Sequence, residues 1–127
     1  MPPCPFCARI AAGEIVLAAD RAVALADAYP VAPGHTLVVP RACVADLFEL
    51  PPEDRRAVWD LVDEVVAHLR QRLAPDGFNV GVNVGAAAGQ TVTHAHVHVV
   101  PRRRGDVPDP RGGVRWVIPD KARYWRS

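Results

Sequence analysis

The 127-residue chain lacks any run that approaches the roughly 20 apolar residues of a membrane-spanning helix. Its first residues, Met1 to Cys4, contain neither a basic head nor the apolar stretch that follows it in secretory signals. Internal repeats and low-complexity segments are also missing. We therefore expect one cytoplasmic domain over residues 1–127 with no membrane partner, because this length is typical of a single domain.

Cysteine is scarce, and an odd number of three residues cannot be fully paired in disulfides. Two of the three stand in Cys4-Pro5-Phe6-Cys7, whose spacing lets both thiolates bind one tetrahedral zinc ion. One such pair supplies only half of the ligands. The spacing alone leaves three interpretations open: a zinc site completed by other residues, a thioredoxin-like redox pair, or thiols without a metal.

A large excess of charge is also absent, since the formal net charge is +1. The charges are unevenly distributed, because residues 101–127 hold eight of the 15 basic residues but three of the 14 acidic ones. A basic tail over residues 102–127 can attract phosphate groups or an acidic partner, or it can simply be solvated. We expect Trp116, Tyr124 and Trp125 in this tail to pack on the domain or on a second subunit.

The hydropathy pattern predicts an α+β fold, an antiparallel sheet with helices on one side. Apolar residues at helical spacing predict one long helix over residues 52–73, and Glu53 and Asp54 fall in its first turn, where the helix dipole favours negative charge. Apolar runs and alternating patterns predict five strands, over residues 15–19, 22–26, 36–39, 78–84 and 91–100.

Three histidines alternate with small or apolar residues in the last predicted strand, as His94, His96 and His98. Successive side chains of a strand point to opposite faces, so the three imidazoles should share one face, with neighbours about 7 Å apart. The intervening Ala95 and Val97 should face the core and fix the register. A solvated polar strand face is the alternative interpretation.

The run from Asn83 to Pro101 closely resembles the histidine triad (HIT) superfamily, in which three histidines are separated by single hydrophobic residues and followed by two more, here Val99 and Val100. The similarity extends upstream to Asp27 and to residues 33–40, and it covers residues 4 to about 101, the part that carries the motifs. It implies a HIT-like fold with one long and one short helix, joined to a second subunit as a two-fold dimer.

The resemblance also implies catalytic roles. His96 would attack a nucleotide α-phosphate and form a covalent nucleotidyl-histidine, while a backbone carbonyl holds its other ring nitrogen. His98 would bind the phosphate or pass a proton to the leaving group, with His94 and His35 as the remaining active-site histidines.

Substrate contacts follow from the same resemblance. Asn83, Gln90 and the backbone N–H groups from Gly89 to Thr91 would hold the phosphate charge, and a Cβ at Gly89 would block close approach. Asp27 would bind the ribose hydroxyls. The apolar slot for the base would be formed by Phe6, Ile10, Leu25 and Leu37, although core packing explains these four residues equally well.

Zinc-bearing members of the family complete the Cys-x-x-Cys pair with the first triad histidine and a residue after the strand that ends in proline. The chain departs from the usual pattern there, because Cys43 replaces a histidine. The implied ligands are Cys4, Cys7, Cys43 and His94. Four protein ligands close the coordination sphere, so the resemblance implies a structural zinc.

The implied activity is hydrolysis of a nucleoside phosphoramidate or dinucleoside polyphosphate, with an adenosine-containing purine nucleotide as the expected substrate. Transfer to phosphate or a sugar phosphate is an alternative, but related transferases usually carry glutamine at the position of His98, which favours hydrolysis. A nucleotide-binding regulator without catalysis is a further alternative. Nucleic acid is not an expected partner, because no nucleic-acid-binding module accompanies the motif.

Overall fold

The computed structural model describes residues 3–125, which form three helices and five strands. The helices are α1 (Pro5–Ala11), α2 (Pro52–Leu73) and α3 (Pro119–Ala122). The strands are β1 (Leu17–Ala18), β2 (Ala22–Ala26), β3 (Thr36–Pro40), β4 (Gly77–Val82) and β5 (Val97–Arg102). Short 3₁₀ turns cover Leu47–Glu49, Ala86–Ala88 and Gly113–Val117.

The five strands form one antiparallel sheet in the order β1-β2-β3-β5-β4. The predicted α+β class and the number of strands are therefore confirmed. The described residues contain two short helices, α1 and α3, where the resemblance implied one. No helix within residues 3–125 is long and apolar enough to cross a membrane.

Helix α2 has the predicted bounds, residues 52 to 73. Its start carries Pro52 and two acidic residues, and it ends at Ala74, whose φ of 45° is left-handed. Its apolar stripe of Val58, Leu61, Val62, Val65 and Leu69 is buried against one face of the sheet. Leu73, the last residue of the helix, is 37% exposed.

Helix α1 packs on the other face of the sheet. Its Phe6 is buried with Val23 and Leu25 of β2 and with Leu37 and Val39 of β3. These strand residues point away from α2 because side chains alternate along a strand. The N-terminal helix therefore lies on the face of the sheet where the functional site forms.

Strand β5 begins at Val97, six residues later than predicted. Its pairing starts where Val97 lies opposite Val38 of β3 and Val82 of β4. The preceding residues 91–96 bend and are held by other contacts, such as the hydrogen bond of 2.7 Å from the Ala95 N–H to the Val44 carbonyl. His94 and His96 therefore lie in the segment before the strand, and His98 lies within it.

The tail folds largely on itself. The guanidinium of Arg111 lies 4.5 Å from the ring centre of Trp125, that of Arg115 lies 4.8 Å from Tyr124, and the Trp116 indole N–H donates to the Arg111 carbonyl. Two arginines of the tail thus face aromatic rings of the same tail. Tyr124 is 72% exposed, so whether a second subunit covers it stays a prediction. The last two tail residues, 126 and 127, lie outside the described residues.

Candidate active site

His96 is oriented by a hydrogen bond to the backbone. Its Nδ1 lies 2.9 Å from the carbonyl oxygen of His94. Since a carbonyl only accepts, Nδ1 carries the proton and Nε2 keeps its lone pair. The ring is 7% exposed and packs edge-on against Phe6 and His98, each with a centroid distance of 5.1 Å. His96 is therefore an oriented imidazole whose Nε2 is left free by the protein to act as a nucleophile.

His98 is oriented through His35 and Asp27. The Val31 N–H donates to His35 Nδ1 at 3.1 Å, which places the His35 proton on Nε2. That Nε2 lies 2.9 Å from His98 Nδ1 and 3.2 Å from Asp27 Oδ2, so two acceptors share its proton. His98 Nδ1 therefore accepts, and the proton of His98 resides on Nε2. This network gives His98 the donor that a leaving group or a phosphate oxygen requires.

Burial governs the protonation of this pair. It lowers the pKa of His35, while the Asp27 carboxylate acts against it. It also lowers the pKa of His98, and repulsion from His96 and His35 adds to the effect, again opposed by Asp27. Both rings are thus held neutral at pH 7.

We expect stability to fall on acidification through these two histidines. The pKa values of His35 and His98 in the folded protein lie below the value of about 6.5 in the unfolded chain. The unfolded chain therefore binds more protons on acidification, so the free energy of unfolding falls as the pH drops below about 6.5. Thermal melts between pH 7.5 and pH 5 should show a declining melting temperature. The decline should be shallower in a His98→Asn variant, and an equal slope in both proteins would contradict this origin.

A cavity of about 440 Å³ opens in front of His96 and His98. One wall, here called the triad wall, contains these two histidines together with Asn83, Gly89 and Thr91. All five were predicted to lie at the phosphate. The structure brings them together although Asn83 follows β4, Gly89 and Thr91 lie in the next loop, and the histidines come later still.

Two details of the triad wall differ from expectation. The Gln90 amide is used within the protein, since its Oε1 accepts from the Gly85 N–H and its Nε2 donates to the Ala45 and Val92 carbonyls. Gln90 therefore holds the loop in place and does not line the cavity. Gly89 has nothing within 4 Å of the Cβ position, and its φ of 94° is the physical reason for glycine there.

The backbone donors of this loop are also partly used. The Gly89 and Gln90 N–H groups donate to the carbonyls of Ala86 and Gly85, respectively. Among the described residues the Thr91 N–H has no such partner, so it is the donor of the three that can still turn to a phosphate oxygen.

The rest of the lining, here called the α1 wall, contains Phe6, Leu37 and Asp27, three residues that the resemblance assigns to the substrate. Leu25 does not line the cavity, because it is fully buried beneath α1. Ile10 also lies outside the lining and packs on the same cluster as Leu25. The prediction missed several wall residues: Pro5, Arg9, Ala28, Tyr29 and Val92.

The four side chains that the resemblance implies as zinc ligands lie close together beside the triad. The ligand atoms of Cys4, Cys7, Cys43 and His94 all lie within 4.8 Å of one another. His94 Nε2 donates to the Pro40 carbonyl at 2.7 Å, so Nδ1 has the lone pair, and it faces the sulfurs of Cys4 at 3.2 Å and Cys7 at 3.7 Å. A tetrahedral zinc site has sulfur–nitrogen distances of about 3.5 Å.

The three thiols cannot all ionise near neutral pH without a cation. Burial and the other two thiols raise the pKa of Cys43 to about 12, and burial and Cys4 raise the pKa of Cys7. Burial acts in the same direction on Cys4, but the hydrogen bond from the Cys7 N–H and the contacts with His94 and the other two thiols outweigh it and lower its pKa to about 6. Such crowding of sulfur around one imidazole lone pair is typical of a metal site.

Comparisons with known proteins agree with this geometry. The family model described as HIT domain matches residues 10–105. An uncharacterized HIT-like protein of Mycoplasma pneumoniae is 47% identical over 83 residues, which cover 65% of this chain and 58% of the relative. A bis(5'-adenosyl)-triphosphatase of Dictyostelium discoideum is 32% identical over 93 residues, which cover 73% of this chain and 62% of the relative. The chain thus spans less than two thirds of either protein.

Among solved structures, a zinc-bound histidine triad family protein of Mycobacterium smegmatis superimposes with a TM-score of 0.74 at 34% identity. The match covers 90% of this chain and 89% of the other. With the triad geometry, the family model and this structure in agreement, the chain belongs to the histidine triad (HIT) family and to its zinc-containing branch.

Proposed function

We propose that the protein is a nucleotidyl hydrolase that acts on the α-phosphate of a nucleoside phosphoramidate or dinucleoside polyphosphate. The observation that carries this proposal is the pair of fixed tautomers: His96 presents a lone pair to the cavity, and His98 presents an N–H. A nucleophile beside a hydrogen-bond donor for the departing oxygen or nitrogen is what displacement at phosphorus requires. The Dictyostelium relative, named for triphosphatase activity, supports the same reaction class.

In the proposed reaction, His96 Nε2 bonds to the α-phosphorus and the bond from phosphorus to the leaving group breaks. The leaving group departs with the His98 Nε2–H as its hydrogen-bond donor and takes its proton from solvent. The Nδ1–H of His96 donates to the His94 carbonyl and stabilises the positive charge that develops on the ring. Water then attacks the nucleotidyl-His96 and loses its proton to solvent, the bond from phosphorus to Nε2 breaks, and the nucleoside monophosphate is released.

The wall residues have matching roles. The Asn83 amide and the Thr91 N–H would hold the phosphate oxygens. The Asp27 carboxylate already accepts from the Tyr29 N–H and lies 3.2 Å from His35, and its remaining lone pairs would accept from the ribose hydroxyls. Phe6 and Leu37 would contact the base. The family resemblance favours a purine nucleotide and, among purines, adenosine.

Cys4, Cys7, Cys43 and His94 would hold a structural zinc ion, because three sulfurs and one imidazole lone pair complete a tetrahedral donor set. The ion would neutralise the thiolates and tie the start of α1 to the segment that carries the nucleophile. His94 supplies both the Nδ1 ligand and the carbonyl that orients His96. The zinc site would thus position His96 without touching the substrate.

A two-fold dimer that joins two sheets also stays a prediction. Within residues 3–125, β4 lies at an edge of the sheet and pairs with β5 alone, so its other side has backbone groups free for a second copy. Sedimentation of the purified protein tests this expectation directly.

The activity is tested by incubating the protein with nucleoside phosphoramidates and dinucleoside polyphosphates and identifying the products. We expect a nucleoside monophosphate in water alone. A product that forms only when phosphate or a sugar phosphate is added would instead indicate transfer. Nucleotide binding without any product would indicate a regulator and contradict the proposal.

A further inference from the structure

Arg9 lies in the α1 wall, where the sequence predicted only apolar residues around the base. It follows Phe6 by three residues on α1, so the two side chains share a face of the helix and lie about 4.5 Å apart along its axis. Phe6 contacts the ring of His96, and α1 starts beside the cysteine cluster. Arg9 is therefore one helical turn farther than Phe6 from that cluster, on the part of the wall that would face the base.

The Arg9 guanidinium has little to bind within the protein. Its ion pair with the exposed Glu14 is long, 4.0 Å from Nε to Oε2, and its N–H groups make no hydrogen bond with any described residue. Yet the side chain is only 23% exposed. The guanidinium nitrogens keep contact with water and their donors are unused by the protein, so they are available to acceptors of a ligand in the cavity.

The form of the guanidinium restricts what it can bind. Two parallel N–H groups match two adjacent acceptor atoms, and guanine presents such a pair as O6 and N7. Adenine presents N7 next to the N6 amino group, whose hydrogens would meet the N–H groups of the arginine. The apolar neighbours Pro5, Phe6 and Leu37 suit the flat face of either purine, so the guanidinium is the feature of this wall that distinguishes the two.

We propose that Arg9 makes the cavity selective for guanine, by donating two hydrogen bonds to O6 and N7 of the base. This inference rests on the proposed function, since it places a nucleotide in the cavity, and it replaces adenosine with guanosine as the expected substrate. Arg9 is then a residue that determines specificity and takes no part in the chemical step.

The test compares guanosine, adenosine and cytidine 5'-phosphoramidates of one amine, together with the Kd values of GMP, AMP and CMP. Wild-type protein should prefer guanosine over adenosine by about tenfold or more in kcat/KM and in Kd. In Arg9→Met, which keeps an apolar stem, the ratio should fall towards one. Arg9→Lys keeps the positive charge but lacks the two parallel N–H groups of the guanidinium, so it should also lose most of the preference for guanosine.

Arg56→Met on the exposed side of α2 is the matched control, because it removes the same charge far from the wall residues and should keep the wild-type ratio. Equal use of guanosine and adenosine by wild type, or a preference for adenosine or cytidine, would overturn the inference and leave the hydrolase proposal standing. A uniform loss for all bases in both Arg9 variants would also overturn it. If no substrate is turned over, the hydrolase proposal fails. The inference is still supported in that case if wild-type protein binds GMP more tightly than AMP and Arg9→Met abolishes that difference.

Discussion

Replacing His96 by alanine is expected to reduce the turnover number by at least about a thousandfold. The variant lacks the Nε2 lone pair that faces the cavity, and none of the neighbouring groups can replace it. His98 directs its N–H to the cavity, and His94 Nδ1 faces the cysteines. Steady-state release of nucleoside monophosphate from the best phosphoramidate substrate measures the loss.

Binding should survive this substitution. In His96→Gly and His96→Ala the triad wall keeps Asn83 and Thr91 and the α1 wall is unchanged, so a nucleotide should still bind with a measurable Kd. His68→Ala on α2 serves as the control, since that histidine lies outside the cavity. A His96→Ala protein that is folded and turns over substrate at the wild-type rate would refute the assigned nucleophile.

Removal of zinc is expected to have the largest effect on stability. The four ligands come from three separate regions of the chain, residues 4–7, residue 43 and residue 94, so the ion would cross-link the start of α1, the end of β3 and the triad segment. Loss of a structural zinc removes several kcal/mol of folding energy, and for a domain of this size about 3 kcal/mol corresponds to a fall of roughly 10 °C or more in melting temperature. Melts with and without a strong chelator measure the effect.

The ligand variants separate zinc loss from other damage. Cys43→Ser should lower both the zinc content and the melting temperature, whereas Cys43→His, which restores the residue usual in the family, should retain about one zinc ion per chain. Elemental analysis of the purified proteins provides the zinc content. A wild-type protein that contains no zinc and melts at the same temperature with chelator would show that the cluster is not a metal site.

The sequence predicted the parts of the site that local patterns specify. Helical spacing located α2 to the residue, and alternation placed His96 and His98 on a common face with Val97 turned to the core. The predicted strand was wrong for residues 91–96, which do not pair with a neighbouring strand although His96 keeps its face. That segment leaves the strand because Gln90 and the Ala95 N–H hold it to residues 44 and 45, and long-range hydrogen bonds of this kind leave no periodic signal.

The base side of the cavity was less predictable for a related reason. The hydropathy pattern predicted one helix, over residues 52–73, whereas Cys4 caps a further helix, α1, that covers Leu25. A helix over residues 5–11 places both Arg9 and Ile10 on the side of Phe6, and the structure shows that Arg9 lines the cavity while Ile10 packs on the buried cluster. An apolar residue of the sheet faces the cavity only where no other element packs over it. The contact with that element is long-range, so the residues next to it in the sequence do not predict it.

The most direct measurement is mass spectrometry of the protein quenched during turnover of a phosphoramidate substrate. We predict a mass increase of one nucleoside monophosphate residue, located after digestion on the peptide that contains His96 and absent from His96→Ala. An adduct on another residue, or full turnover with no adduct at any quench time, would contradict the account.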